Sequence, residues 1–186
     1  IVNIQGTIGA SAQIGRTKGL ADAATENGWD LMAEVTGDFT QAKGKEVMES
    51  LLKRYDNINV VYCENDNEAF GAIEAIEEAG KKTGSDIANG EIMVLSFDGV
   101  KEDAMNYVLQ DKITCIAECN PLHGPRVKAI IEALEAGSTP EKYSYVDEEI
   151  YSASEVVKNL SLDGINYDVT ILTQDIILKD ISLQKM

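Results

Sequence analysis

Asn59-Val-Val-Tyr-Cys63, then Glu64-Asn-Asp-Asn67, then Glu68-Ala-Phe-Gly-Ala-Ile-Glu-Ala-Ile-Glu-Glu-Ala-Gly80, and a little later Glu91-Ile-Met-Val-Leu-Ser-Phe97 decide the fold of this chain. The outer pieces are short, apolar and rich in β-branched residues, as strands are. Between them Ala69, Phe70, Ile73, Ile76 and Ala79 recur at helical spacing over 67–79, starting from Asp66 and stopping at Gly80. A strand, a polar turn, an amphipathic helix and a second strand make a βα unit.

The same rhythm runs outward in both directions. Strand candidates cover 1–5, 30–36, 59–63, 91–97, 113–118 and 143–148, with starts mostly about 22–32 residues apart. Helical patterns fill the gaps at 12–24, 43–55, 101–109 and 125–136. Thr40 is placed to cap the second of these, Pro125 sits in the first turn of the last, and Gly137 ends it. Ser152-Ala-Ser-Glu155 carries a capping-box pattern that predicts one more helix, and the tail from Leu160 (an Asp163-Gly164 turn, a strand over 169–172) is less regular. Near-continuous apolar strands such as Ile92-Met-Val-Leu95 suit a parallel sheet with helices on both faces. The predicted class is α/β: an open, mostly parallel, doubly wound sheet.

Composition narrows the function. With 186 residues, 44% of them hydrophobic and 26% charged, the chain is long enough to bury one core. Its 32 acidic against 16 basic residues give a net charge of −16, which repels phosphate backbones and anionic lipid heads and argues against nucleic acid as a partner. No apolar run approaches a bilayer span. The start, Ile-Val-Asn-Ile-Gln, lacks both a signal-peptide pattern and an initiator methionine, which predicts a mature protein or a fragment. Cys63, Cys115 and Cys119 are too few for a disulfide framework, and with His123 as the single histidine they complete no zinc site.

In open parallel sheets ligands bind beyond the carboxyl ends of the strands. The segments there are Gln5-Gly-Thr-Ile-Gly-Ala-Ser11 with Arg16 beyond, Gly37-Asp-Phe-Thr40, Glu64-Asn-Asp-Asn67, Phe97-Asp-Gly99 and Glu118-Cys-Asn-Pro121. They supply amides and carboxylates (Asn65, Asp66, Asp98, Glu118), one guanidinium (Arg16) and aromatic faces (Phe39, Phe97). Carboxylates and amides bond neighbouring hydroxyls, Arg offers a planar donor fork, and aromatic rings pack on sugar C–H faces. The set suits a neutral polyol better than a phosphate. Asn, Asp and Gly equally cap helices and make turns, and for any single loop the two readings weigh the same. Convergence of five loops tips the balance toward a ligand.

Other chemistries lack their residues. Gly6 and Gly9 do not make a dinucleotide fingerprint, and Gly44-Lys45 is followed by Glu46 within a helix rather than by a phosphate-loop hydroxyl. No nucleophile elbow accompanies His123, which reads as a helix-start or surface residue, and an acidic metal cluster of Asp38, Asp66 and Asp98 is a minor alternative. No catalytic set of nucleophile, base and orienter stands out, so the sequence does not read as an enzyme.

Taken in order, these loops, together with Lys43-Gly-Lys-Glu-Val-Met48, resemble the type I periplasmic sugar-binding proteins of ABC transporters, the ribose-binding class, and most of all its galactofuranose-binding branch. The resemblance covers roughly residues 1–155. It implies two α/β lobes joined by hinge strands that close on a monosaccharide, a membrane permease as partner, no cofactor, and a periplasmic or extracellular location (a lipoprotein anchor in a Gram-positive source). Carried over by motif, Arg16, Asn65, Asp98 and Glu118 are the polar sugar contacts, with Phe39 and Thr7 beside the ring. Glutamate at 118, where ribose binders usually carry glutamine, is more like the furanose-binding branch; this bears on the ligand without fixing it. Full members are much longer. Residues 1–119 with about 163–186 correspond to the C-terminal lobe, and about 120–162 to a segment of the missing N-terminal lobe and hinge. The helix after Pro125 and the strand at 143–148 are therefore expected to pack unusually, pair between chains or expose apolar surface. A ligand-sensing domain of a lactose-repressor-type regulator is the alternative with the same lobe design.

Overall fold

A computed structural model describes residues 1–99, 102–121, 123–143, 146, 148–153, 159–162 and 165–177. Strands β1 (Val2–Gln5), β2 (Ala33–Thr36), β3 (Val60–Cys63), β4 (Met93–Asp98) and β5 (Cys115–Glu118) alternate with helices α1 (Ser11–Asn27), α2 (Gln41–Arg54), α3 (Asp66–Glu78) and α4 (Glu102–Leu109). Helix α5 (Gly124–Glu135) and strands β6 (Ile150–Ser152), β7 (Asn159–Leu162), β8 (Ile165–Asp168) and β9 (Thr170–Ile171) follow. The main sheet has seven strands in the order β2-β1-β3-β4-β5-β6-β9; all pairs are parallel except β5 with β6. The doubly wound α/β reading holds, and β7 with β8 adds a small antiparallel ribbon that the sequence pattern had not marked.

The two faces of the sheet are covered unequally. Right-handed crossovers send α1 to one side as the order steps from β1 to β2, and α2, α3 and α4 to the other as it steps back through β3, β4 and β5. Val2, Ile4, Val61, Cys63 and Val94 face the α2–α3 side and are almost solvent-free, packed with Met48, Leu51, Ile73 and Ile76. Val60, Tyr62, Met93, Leu95 and Phe97 point the other way, toward the α1 side, and stay half-buried. Helices α2 and α3 meet at backbone distance. A Cβ on Gly71 would lie 2.1 Å from the carbonyl oxygen of Gln41, and one on Gly44 would lie 2.8 Å from Cα of Glu68. Two missing side chains set that approach, and it brings the start of α3 under the β2–α2 turn.

Caps follow the polar residues at the strand ends. Thr40 caps α2 as expected, its Oγ1 accepting from Lys43 N–H at 3.3 Å. The cap of α3 is Asn65, one residue before the predicted start, with Oδ1 accepting from Glu68 N–H at 2.9 Å. His123 precedes α5 without a side-chain cap bond.

Past β5 the expectations fail in register. Among 143–148, Tyr143, Val146 and Glu148 are not in a strand, and 144, 145 and 147 lie outside the described residues. The strand starts instead at Ile150, because the free edge of β5 pairs Ala117 with Ile150 and Ile116 with Tyr151, which puts Tyr151 and Ser152 inside while Tyr143 stays 69% exposed. Ser152 is thus the end of β6 rather than a helix cap, and Glu155 lies outside the described residues. The Asp163-Gly164 turn lies outside them too; the strand expected over 169–172 is Thr170–Ile171. No described helix is long and apolar enough to cross a membrane.

Candidate functional site

All five parallel strands end at one rim, and the polar residues there are tied to one another. Arg16 comes from the second turn of α1. Its Nη2 pairs with Asp98 Oδ1 at 2.9 Å, at the end of β4, and its Nη1 donates to the backbone carbonyl of Glu64, at the end of β3. The guanidinium lies 4.7 Å from the centroid of the Phe97 ring, and Tyr62 meets that ring edge-on at 5.3 Å. Burial, with the charge of Glu64 adding to it, pushes the Tyr62 phenol up, so it stays neutral and donates to the carbonyl of Arg16 at 3.1 Å. Two hydrogen-bonded anchors and a ring fix a donor fork whose side chain keeps only 11% of its surface exposed.

Asp98 stands beside Glu118 in the β4–β5 register, and Cys119 N–H closes on the Asp98 carbonyl at 2.9 Å. Its φ of +91° is a strained backbone for a residue with a Cβ. Glu118 receives Glu149 N–H on Oε2 at 2.9 Å, while its own N–H donates to the Glu149 carbonyl at 2.8 Å. The departing chain after β5 and the returning chain before β6 therefore run side by side at the rim.

On the other flank Asp38 and Phe39 both take left-handed backbone, each at φ +57°. Phe39 N–H donates to Glu68 Oε1 at 2.9 Å, and its carbonyl accepts from the side-chain amides of Asn65 at 3.3 Å and Asn67 at 3.2 Å. The ring lies over Gly6, where any Cβ would fall 2.0–2.5 Å from ring atoms. Thr7 is exposed in the next turn, its carbonyl accepting from Ala10 N–H at 3.0 Å.

The rim thus gathers Arg16, Asp98 and Glu118 on one flank and Phe39, Asn65 and Thr7 on the other, joined through Glu64 and Asn65. The capping and turn-making reading of the polar loop residues is realised in part. Asn65 is 6% exposed and uses its oxygen as a helix cap and its amide as a tether for Phe39. Asp66 closes the adjoining turn, accepting from Ser96 Oγ at 2.8 Å and Gly99 N–H at 2.9 Å. Among the described residues no group of three or more metal-ligating side chains converges.

Two carboxyls escaped sequence reasoning. Glu64 is fully buried and accepts from Gly6 N–H at 2.9 Å, from Asn3 Nδ2 at 3.3 Å and from Thr17 Oγ1, locking β1, α1 and β3 together. Glu68 is fully buried below Phe39. The one signal was positional: Glu64 directly follows the apolar strand Val60–Cys63, and Glu68 directly precedes the apolar run Ala69–Ile73. The cysteines are free thiols, and burial pushes all three above their ordinary range, Cys115 to about 11; Arg16 opposes that rise at Cys119 without cancelling it. None is poised as a nucleophile.

Known proteins resemble this chain in sequence and in fold. The galactofuranose-binding protein YtfQ of Escherichia coli (strain K12) is 38% identical over 156 residues, covering 81% of this chain and 47% of that protein. A solved structure from Mycobacterium smegmatis in complex with β-D-fucofuranose superposes with a TM-score of 0.72 at 36% identity, covering 81% of this chain and 48% of the other. The periplasmic binding protein component of the arabinose ABC transporter from Shewanella sp. ANA-3, bound to α- and β-L-arabinofuranose, gives 0.72 at 32% identity over 80% of this chain and 49% of the other. The chain spans about half the length of these relatives. Residues 1–118 match the family described as periplasmic binding protein domain. With the doubly wound lobe and its polar rim, that match makes the chain a member of the periplasmic binding protein family.

Proposed function

We propose that the chain forms one lobe of an extracytoplasmic solute-binding protein of a carbohydrate ABC importer, one that closes on a monosaccharide in furanose form. Residues 1–119 with about 163–186 make the C-terminal lobe, and about 120–162 belong to the other lobe and hinge. The observation that carries the reading is the pinned guanidinium of Arg16, stacked on Phe97 and paired with Asp98, with Glu118 beside it and Phe39 across the rim. Such a set offers preorganised donors and acceptors to vicinal hydroxyls and an aromatic face to a ring. Relatives seen with fucofuranose and arabinofuranose support the furanose form. The relatives compared are binding proteins rather than enzymes or regulators, so neither catalysis nor the regulator alternative is favoured.

The roles of Arg16, Asp98, Glu118, Asn65, Phe39 and Thr7 toward the sugar are part of this proposal. Arg16, Asp98 and Glu118 supply polar contacts, Phe39 the packing face and Thr7 a flanking hydroxyl, while Asn65 acts chiefly by holding Phe39. One lobe supplies only part of a clamp, so the 186-residue chain alone binds weakly. The test is calorimetric titration of the full-length protein with L-arabinose, D-fucose, D-galactose and D-ribose. At least one is expected to bind, with a loss of about tenfold or more in Arg16→Ala, about 1.4 kcal/mol; no binding across the panel overturns the reading.

A further inference from the structure

The turn that presents Phe39 is an expensive piece of backbone. Two successive residues with side chains hold φ of +57°, a region that each disfavours by roughly 1–2 kcal/mol. Something beneath must specify it, and Glu68 lies there. Its side chain is fully buried, Oε1 accepts the Phe39 N–H at 2.9 Å, and the same oxygen lies 2.8 Å from where a Cβ on Gly37 would stand. Gly37 therefore leaves room for the carboxyl, and the carboxyl fixes the amide two residues later. Oε2 makes no hydrogen bond among the described residues. A buried acid with an oxygen to spare is a poor choice for stability alone, since an apolar side chain would fill the space more favourably.

We propose that Glu68 is a positioning residue for ligand binding: through the Phe39 N–H it sets the aromatic platform on the rim and thereby sets the affinity of the site. The proposal rests on the sugar-binding reading above, and Glu68 itself touches no ligand. The titratable groups around it are the Cys63 thiol of β3, the Glu64 carboxyl that follows, and Asp66 at the start of α3; from α2 the close neighbour is Gly44, which brings no charge.

Glu68→Gln keeps an acceptor oxygen and Glu68→Leu removes it. Amide hydrogen exchange at Phe39 in the 186-residue chain reads the positioning without any sugar. Protection is expected to fall at least about tenfold in Glu68→Leu and to survive in Glu68→Gln. Calorimetry on the full-length protein with the panel above is expected to show affinity reduced at least about fivefold in Glu68→Leu and within about twofold of wild type in Glu68→Gln. Unchanged protection in Glu68→Leu overturns the proposal, as does lost protection with unchanged affinity. If the wild type binds no sugar, the sugar-binding reading fails and the affinity half of the proposal falls with it, while exchange still decides what holds Phe39. If Glu68→Leu does not fold, NMR titration of the wild type decides. The Phe39 amide proton shift should then follow the Glu68 carboxyl with a shared midpoint, absent in Glu68→Gln, and a Phe39 shift indifferent to that titration overturns the positioning.

Discussion

Glu68 shows how one residue ties stability to the shape of the rim. Burial pushes its carboxyl up to about 8, with Glu64 adding to the rise and the bond from Phe39 N–H opposing it. The sign of the pH dependence follows. Below about 4.5 both folded and unfolded chains hold the proton, and the buried acid carries no charging penalty. Between there and about 8 only the folded chain keeps it, so unfolding releases a proton and stability falls as pH rises, levelling off above. The full span corresponds to a penalty on the order of 5 kcal/mol. Urea denaturation from pH 5 to 9 is expected to show this slope in wild type and a flatter profile in Glu68→Gln, with the variant the more stable at pH 9. A parallel pair of profiles would exclude the mechanism. At this scale the sequence was half legible. Arg16, Asp98 and Glu118 could be placed on one rim because topology alone brings strand ends together. The division of Asn65 between capping and tethering, and the burial of Glu64 and Glu68, depend on which side chains the α2–α3 approach encloses, and no periodicity carries that.

Among the elements, α2 and α3 form the closest pair, and their contact rests on the absence of two side chains. Gly71→Ala would place a methyl 2.1 Å from the Gln41 carbonyl oxygen, and backbone cannot swing away as a side-chain tip can. Overpacking of this kind typically destabilises by about 1–3 kcal/mol. A fall in melting temperature of at least about 3 °C is expected by scanning calorimetry, whereas Gly19→Ala on the open surface of α1 should not lower it. Removal of the Thr40 cap is a milder test: Thr40→Ala should lose about 1 kcal/mol in urea unfolding. Apart from the α3 cap, which falls at Asn65 rather than at the expected Asp66, the Thr40 cap and the glycines just past α3 and α5 were readable from local chemistry. The shift of the last core strand from 143–148 to Ile150–Ser152 was not, because both stretches carry similar β-branched and aromatic residues and only pairing with the edge of β5 selects between them.

For the molecule as a whole, the bare stripe on α5 matters most. Val127, Ile130, Ile131 and Leu134 lie one helical turn apart and are 43–57% exposed, and α5 buries none of its residues. That stripe meets the expectation of exposed apolar surface after Pro125, and under the proposed lobe assignment its partner is the other lobe. Leu134→Glu should accordingly leave the melting temperature of the 186-residue chain unchanged within about 1–2 °C, yet lower that of the full-length protein by at least about 3 °C for a loss of 1–2 kcal/mol. An equal drop in both would show that α5 packs on this lobe instead. The pairing of Glu118 with Glu149 has a practical corollary. Since the polypeptide leaves and re-enters at neighbouring positions, residues 121–148 form a detachable excursion. Excising them would leave Cys119-Asn120 as a two-residue turn between the paired Glu118 and Glu149, a shortened protein with β5 and β6 still paired, suited to solution spectroscopy of the rim by itself.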